Sequence, residues 1–156
     1  MKILKVILVA IPLFFIGVIT AYVLESFFRG VIQDIFRWST SGKIKFIGKD
    51  FHLFPHATYL VAFGLGILIL FFENRLKPFG EIFKHVVLNL IVFSAALVII
   101  ASIDANLKVV ECTLCDGGIR QLHWNEVNYE LILTLSISAS LLPNLLRIIK
   151  QRSSLN

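Results

Sequence analysis

Apolar residues gather in four runs, at 3–28, 57–72, 86–103 and 131–146, with polar or mixed segments between them. Each run approaches the ~20 residues that a helix needs to cross a bilayer. The pattern therefore predicts four transmembrane helices. The connection between the second and third runs is short and holds Pro78 and Gly80, which makes those helices antiparallel neighbours. The other two connections, 29–56 and 105–130, are long enough to carry structure of their own. The expected fold is an all-α membrane protein, one domain over 1–156. It is an up-down-up-down four-helix transmembrane bundle with a small extracytoplasmic β cap.

The cap is read from the two long connections. Val31, Ile32, Ile35 and Phe36 share one helical face beside Arg37 and Trp38, the pattern of a short interfacial helix that Ser39-Thr40-Ser41-Gly42 ends. Lys43-Ile44-Lys45-Phe46-Ile47 then alternates charged and apolar residues, and Gly48-Lys49-Asp50 separates it from Phe51-His52-Leu53-Phe54, a hairpin signal. The second connection repeats the arrangement, from Leu107 to Glu111 and from Ile119 to Trp124 around the turn Asp116-Gly117-Gly118. Two hairpins on one face can pair into a sheet that satisfies backbone groups close to the lipid boundary. Asn125 or Asn128 is the expected cap of the fourth helix. Gly64, Gly66, Ser94, Ala95, Ala96, Ser136, Ser138, Ala139 and Ser140 are small residues that suit helix contacts and mark the expected bundle interior.

Composition agrees with the pattern. Hydrophobic residues make up 57% and charged ones 16%, against about 45–50% and about 25% in soluble domains. The net charge of +5 comes largely from basic residues beside the spans, at Lys2 and Lys5, at Arg75, Lys77 and Lys84, and at Arg147, Lys150 and Arg152. Such placement sets topology. Both termini and the short connection are expected in the cytoplasm, in a multi-pass protein of a plasma or inner membrane. The bilayer, not nucleic acid, is the expected partner of this charge. The first run exceeds the ~7–15 residues of a signal-peptide core, and no small-x-small site follows it, so it is expected to be retained. The small-residue faces also suit pairing between chains, which keeps a homo-oligomer among the expectations.

Candidate chemistry centres on Cys112-Thr113-Leu114-Cys115, the only two cysteines. In the expected orientation both face an oxidising compartment, where they can close a disulfide that pins the connection. Used for redox exchange, the pair resembles that of the vitamin K epoxide reductase family and of the bacterial disulfide-generating membrane proteins, four-helix bundles with a Cys-x-x-Cys near the outer surface. Those families relay electrons to a second cysteine pair, which this chain lacks. Cys112 would then be the nucleophile and Cys115 the resolving thiol toward an external partner, with His123 or Lys108 favouring the thiolate. Joined by His123 and by His52 or His56, the same pair would make the two-Cys, two-His set that zinc prefers, and zinc is the one cofactor the sequence suggests.

Glu25, His56, Asp104 and Glu130 fall at the outer ends of the four spans and form a polar cluster of their own. Glu25 and Asp104 sit at helix C-termini, where the macrodipole disfavours negative charge, so each calls for a partner such as Arg29, Lys108 or a cation. No nucleotide motif, Ser-His-Asp order or charge at the span midplane is present, which argues against a channel or pump. The shape is similar to that of claudins, small four-span proteins with an outer sheet. The expected function is a non-enzymatic binding or accessory protein that presents its cap to a protein partner. Thiol-disulfide exchange and metal binding are the alternatives.

Overall fold

Helix α1 (Lys2–Thr40) is a single element of 39 residues in the computed structural model, which describes residues 2–48, 57–75, 77–110 and 120–153. It absorbs both the first apolar run and the stretch expected to form a separate interfacial helix. The reason lies in one side of the helix. Phe28, Ile32, Phe36 and Thr40 recur every four residues and are all at least partly buried, so a continuous stripe carries the helix past Arg29 and Gly30. The helix stops where Ser41 and Gly42 take left-handed backbone angles, φ 49° and 80°. Lys43 N–H then donates back to the Thr40 carbonyl at 3.0 Å.

Strand β1 (Ile44–Ile47) follows, then α2 (Ala57–Asn74), α3 (Phe79–Val110), β2 (Arg120–His123), a 3-10 turn (Trp124–Glu126) and α4 (Tyr129–Ser153). Helices α1, α2 and α3 are long and apolar enough to cross a membrane, and α4 adds a shorter apolar segment, Tyr129–Leu145. Asn128, one of the two expected caps, accepts the Leu131 N–H at 3.1 Å and starts α4.

Bundle packing depends on close backbone approach between α1 and α2. A Cβ placed on Gly17 would lie 2.8 Å from the Gly64 Cα, and one on Gly64 would lie 2.7 Å from the Phe14 ring. Any larger residue at either position must push the helices apart. Helix α3 turns Asn89, Leu97, Ala101 and Ala105 inward, and α4 adds Ile132, Leu133, Ile137 and Leu141. Gly64, Gly66, Ser136 and Ser140 are buried, as expected of interior small residues. Ser94, Ala95 and Ser138 instead face outward, because the phase of the larger buried residues sets which side of α3 and α4 turns in. The outer surface is apolar, with Ile19, Val23, Ile91 and Ile99 all more than half exposed.

The described sheet differs from the two expected hairpins. β1 and β2 pair in parallel, Ile44 opposite Arg120 through Ile47 opposite His123, so one strand comes from each long connection. Leu107–Val110, expected as a hairpin arm, is the last turn of α3, where Val109 still packs against the core. The other expected arm, Phe51 to Phe54, and the turn 116–118 lie outside the described residues.

Candidate functional site

The two long connections meet on the end of α1. β1 alternates Ile44 and Phe46 inward with Lys45 outward, and β2 contributes the fully buried Leu122. The chain leaves β2 directly into the 3-10 turn, where the Glu126 carboxylate accepts the His123 N–H at 3.0 Å. That turn sets Trp124 flat on Phe46, ring centroids 3.9 Å apart and planes 4° from parallel. Phe36 of α1 meets the edge of Phe46 at 6.4 Å. The Arg37 guanidinium lies 4.9 Å from the Trp124 ring centroid and is fixed by a 2.9 Å ion pair to Asp34. Helix α1, β1 and β2 are thus joined through one aromatic-cationic stack. His123 is exposed, and its imidazole rests on the Cα of Gly48, a left-handed residue with φ 80° and no room for a side chain.

Below the stack lies a set of buried polar groups. Arg29 is 8% exposed; its Nη2 is 3.5 Å from Glu25 Oε1 and its guanidinium sits 5.0 Å from the Tyr129 ring centroid. Gln33 Nε2 donates to the Tyr129 hydroxyl at 3.0 Å. A cation–π contact and a hydrogen bond, both to Tyr129, therefore clamp α1 to the start of α4. Tyr59 of α2 donates its hydroxyl to the Ala21 carbonyl of α1 at 3.0 Å. Glu130 accepts the Thr58 N–H at 3.2 Å and also the Thr58 hydroxyl, which places a carboxylate on the free amides at the start of α2.

A second polar line runs through the opposite end of the bundle. Lys77 Nζ, an ammonium with three donors, meets Glu73 Oε1 at 3.1 Å, Asn74 Oδ1 at 3.2 Å and His85 Nε2 at 3.4 Å. One turn along α3, Asn89 Nδ2 donates to the His85 carbonyl at 2.7 Å. Asn144 Nδ2 of α4 donates to Asn89 Oδ1 at 2.9 Å, with both residues buried. The turn between α2 and α3 is thereby tied to α4.

Of the residues singled out from sequence, Glu25 has Arg29 as its compensating cation and Glu130 holds Thr58, while Asp104 is half-buried on α3. Cys112, Cys115, His52 and His56 lie outside the described residues. Among the described residues, no group of three or more His, Cys, Asp or Glu side chains converges to hold a metal ion. Sequence reasoning passed over the Asn89–Asn144 pair, the Tyr129 platform and the Gly17–Gly64 contact. A search for uncharged amides within apolar runs, and not for charges alone, would have found the first. No protein-family model, curated protein or solved structure matches the chain.

Proposed function

We propose that the chain is a four-span integral membrane protein with both termini cytoplasmic, whose extracytoplasmic cap is a non-enzymatic binding surface for a protein partner. The observation that carries this reading is the Phe46–Trp124 stack, which fuses two connections distant in sequence into one fixed platform on α1. Rigid aromatic scaffolds of this kind hold a surface ready for recognition with little ordering cost on binding.

Helices α1, α2 and α3 supply three spans by length and composition, and the four-span reading counts the shorter apolar segment of α4, Tyr129–Leu145, as the fourth. The charge-free intervals Lys5 to Glu25, Thr58 to Glu73, His85 to Asp104 and Glu130 to Arg147 extend for about 30, 23, 29 and 26 Å as α-helix. These lengths approach or match a hydrocarbon core of about 30 Å. The pairing of Asn89 with Asn144 satisfies polar groups where water is lacking. The remainder of α1, from Arg29 to Thr40, then stands clear of the core and carries the cap.

Single cysteines in a Cys112→Ser, Cys115→Ser background test the orientation. Lys45→Cys should react with an impermeant maleimide on intact cells, and Arg75→Cys only after permeabilisation; the reverse pattern rejects the topology. For the binding role, photoreactive residues at Lys45 and Gln121 should give a discrete adduct with a second protein, and one at Ile99 should give none. Absence of adducts from both cap positions rejects it.

A further inference from the structure

A cavity of about 220 Å³ lies between all four helices, bounded among others by Phe28 of α1, Gly66 of α2, Phe93 of α3 and Leu141 of α4. Among the described residues none that lines it is charged, and its polar side chains are Asn89 and Ser140. Both are already engaged: Asn89 donates to the His85 carbonyl and accepts from Asn144, and Ser140 donates to the Ile137 carbonyl at 2.7 Å. The lining therefore asks neither a charge nor a hydrogen bond of an occupant.

Size and access narrow the guest further. Protein interiors leave few voids larger than a water molecule, and an apolar cavity of about 150 Å³ stays dry and takes up benzene or xenon. The cavity between these helices is somewhat larger. Val86 and Leu90 line it and are also 38% and 58% exposed, so it opens at α3 onto the outer apolar surface. A guest enters from that surface.

We propose that this cavity is a binding site for one compact, uncharged apolar molecule, somewhat larger than a benzene ring, which enters past Val86 and Leu90. The proposal goes beyond the binding role of the cap and does not depend on which side of a membrane the cap faces. Bound there, the guest touches all four helices and fills space that side chains leave between them. A long hydrocarbon tail is the rival occupant, since it would make the cavity an open extension of the surrounding lipid.

Toluene titrated into the full chain in phosphatidylcholine nanodiscs separates the two. The readout is fluorine NMR of 4-fluorophenylalanine placed at Phe93, which lines the cavity, or at Phe15, which is 57% exposed on α1. The Phe93 signal should shift to saturation over a range in which the Phe15 signal only drifts in proportion to the toluene dissolved in the bilayer. Phenol, compared at equal free concentration in water, should bind about tenfold more weakly, because its hydroxyl must be stripped of water. Gly66→Leu fills the cavity and should abolish saturation at Phe93 while the Phe15 signal keeps its native position. A Cβ at Gly66 meets nothing closer than Leu141 Cδ1 at 3.5 Å, so Gly66→Ala is the folded control. Leu141→Ala enlarges the cavity and should raise the affinity for naphthalene relative to toluene, a check that stands even where Gly66→Leu does not fold. A Phe93 response as linear as that of Phe15 overturns the proposal in favour of open contact with lipid. Phenol binding as well as toluene overturns the apolar selectivity, and saturation that survives Gly66→Leu, or an unchanged naphthalene preference in Leu141→Ala, removes the site from this cavity.

Discussion

Trp124 stacks on Phe46 with ring centroids 3.9 Å apart, although α2 and α3 separate the two residues in the chain. A two-stranded sheet is marginal by itself in water, and β1 and β2 are only four residues each. Their pairing persists because the stack, its Phe36 edge contact and the Arg37 cation lie directly beneath it.

Trp124→Ala should therefore release both strands together. Loss of a buried aromatic costs about 3 kcal/mol, and hydrogen exchange at residues 44–47 and 120–123 should accelerate in step while amides of α3 keep their protection. Trp124→Phe should retain most of the protection. Unchanged exchange in Trp124→Ala would show that the stack is not what holds the strands.

The amide pair inside the bundle makes a different prediction. Asn144→Leu removes the donor to Asn89 Oδ1 and should destabilise the protein by about 1 kcal/mol, within the range of interhelical hydrogen bonds in membranes. The double variant Asn89→Leu, Asn144→Leu should cost less than the sum of the two singles. Steric-trap unfolding in bicelles measures the coupling, and strict additivity would deny that the contact forms.

Two glycines in α1 should respond in opposite directions. Gly17→Ala drives a Cβ against the Gly64 backbone and should cost about 1–3 kcal/mol through overpacking. Gly30 has nothing within 4 Å of its would-be Cβ, so Gly30→Ala should stabilise the helix by about 0.5–1 kcal/mol. Thermal unfolding of the two variants in one detergent reads the contrast directly.

At the α2–α3 turn, Lys77→Met leaves Glu73, Asn74 and His85 without a shared donor. Hydrogen bonds to charged groups contribute about 1.5–3 kcal/mol each in mutational series. The effect should be local, with faster exchange at amides 73–85 and little change in the cap. Equal loss of protection at residues 44–47 would contradict that separation.

Apolar run length carried most of the fold, since α2, α3 and the apolar part of α4 lie where the runs do. Two readings failed for physical reasons. Leu107–Val110 is a short apolar stretch with two valines, and periodicity over so few residues does not separate a strand from a helix end. The length of α1 was masked by Arg29, Gly30 and Asp34, residues that suggest an exit from the membrane, yet the i, i+4 stripe through Ile32 and Phe36 was present in the sequence all along. The β1–β2 register could not be read, because pairing between strands this far apart depends on where α2 and α3 return the chain. Of the outer polar residues, the local pair Glu25–Arg29 was legible at four-residue spacing. The Arg29–Tyr129 and Gln33–Tyr129 contacts join distant segments and have no such local sign.

Helix α1 runs as one element from Lys2, through Pro12, to the left-handed residues at Ser41 and Gly42, a length of about 58 Å. A change of about 5° in its inclination at the base swings its far tip sideways by about 5 Å. In the membrane arrangement proposed above, thinning or thickening of the bilayer would change the inclination of so long a helix and would thereby displace the Phe46–Trp124 platform.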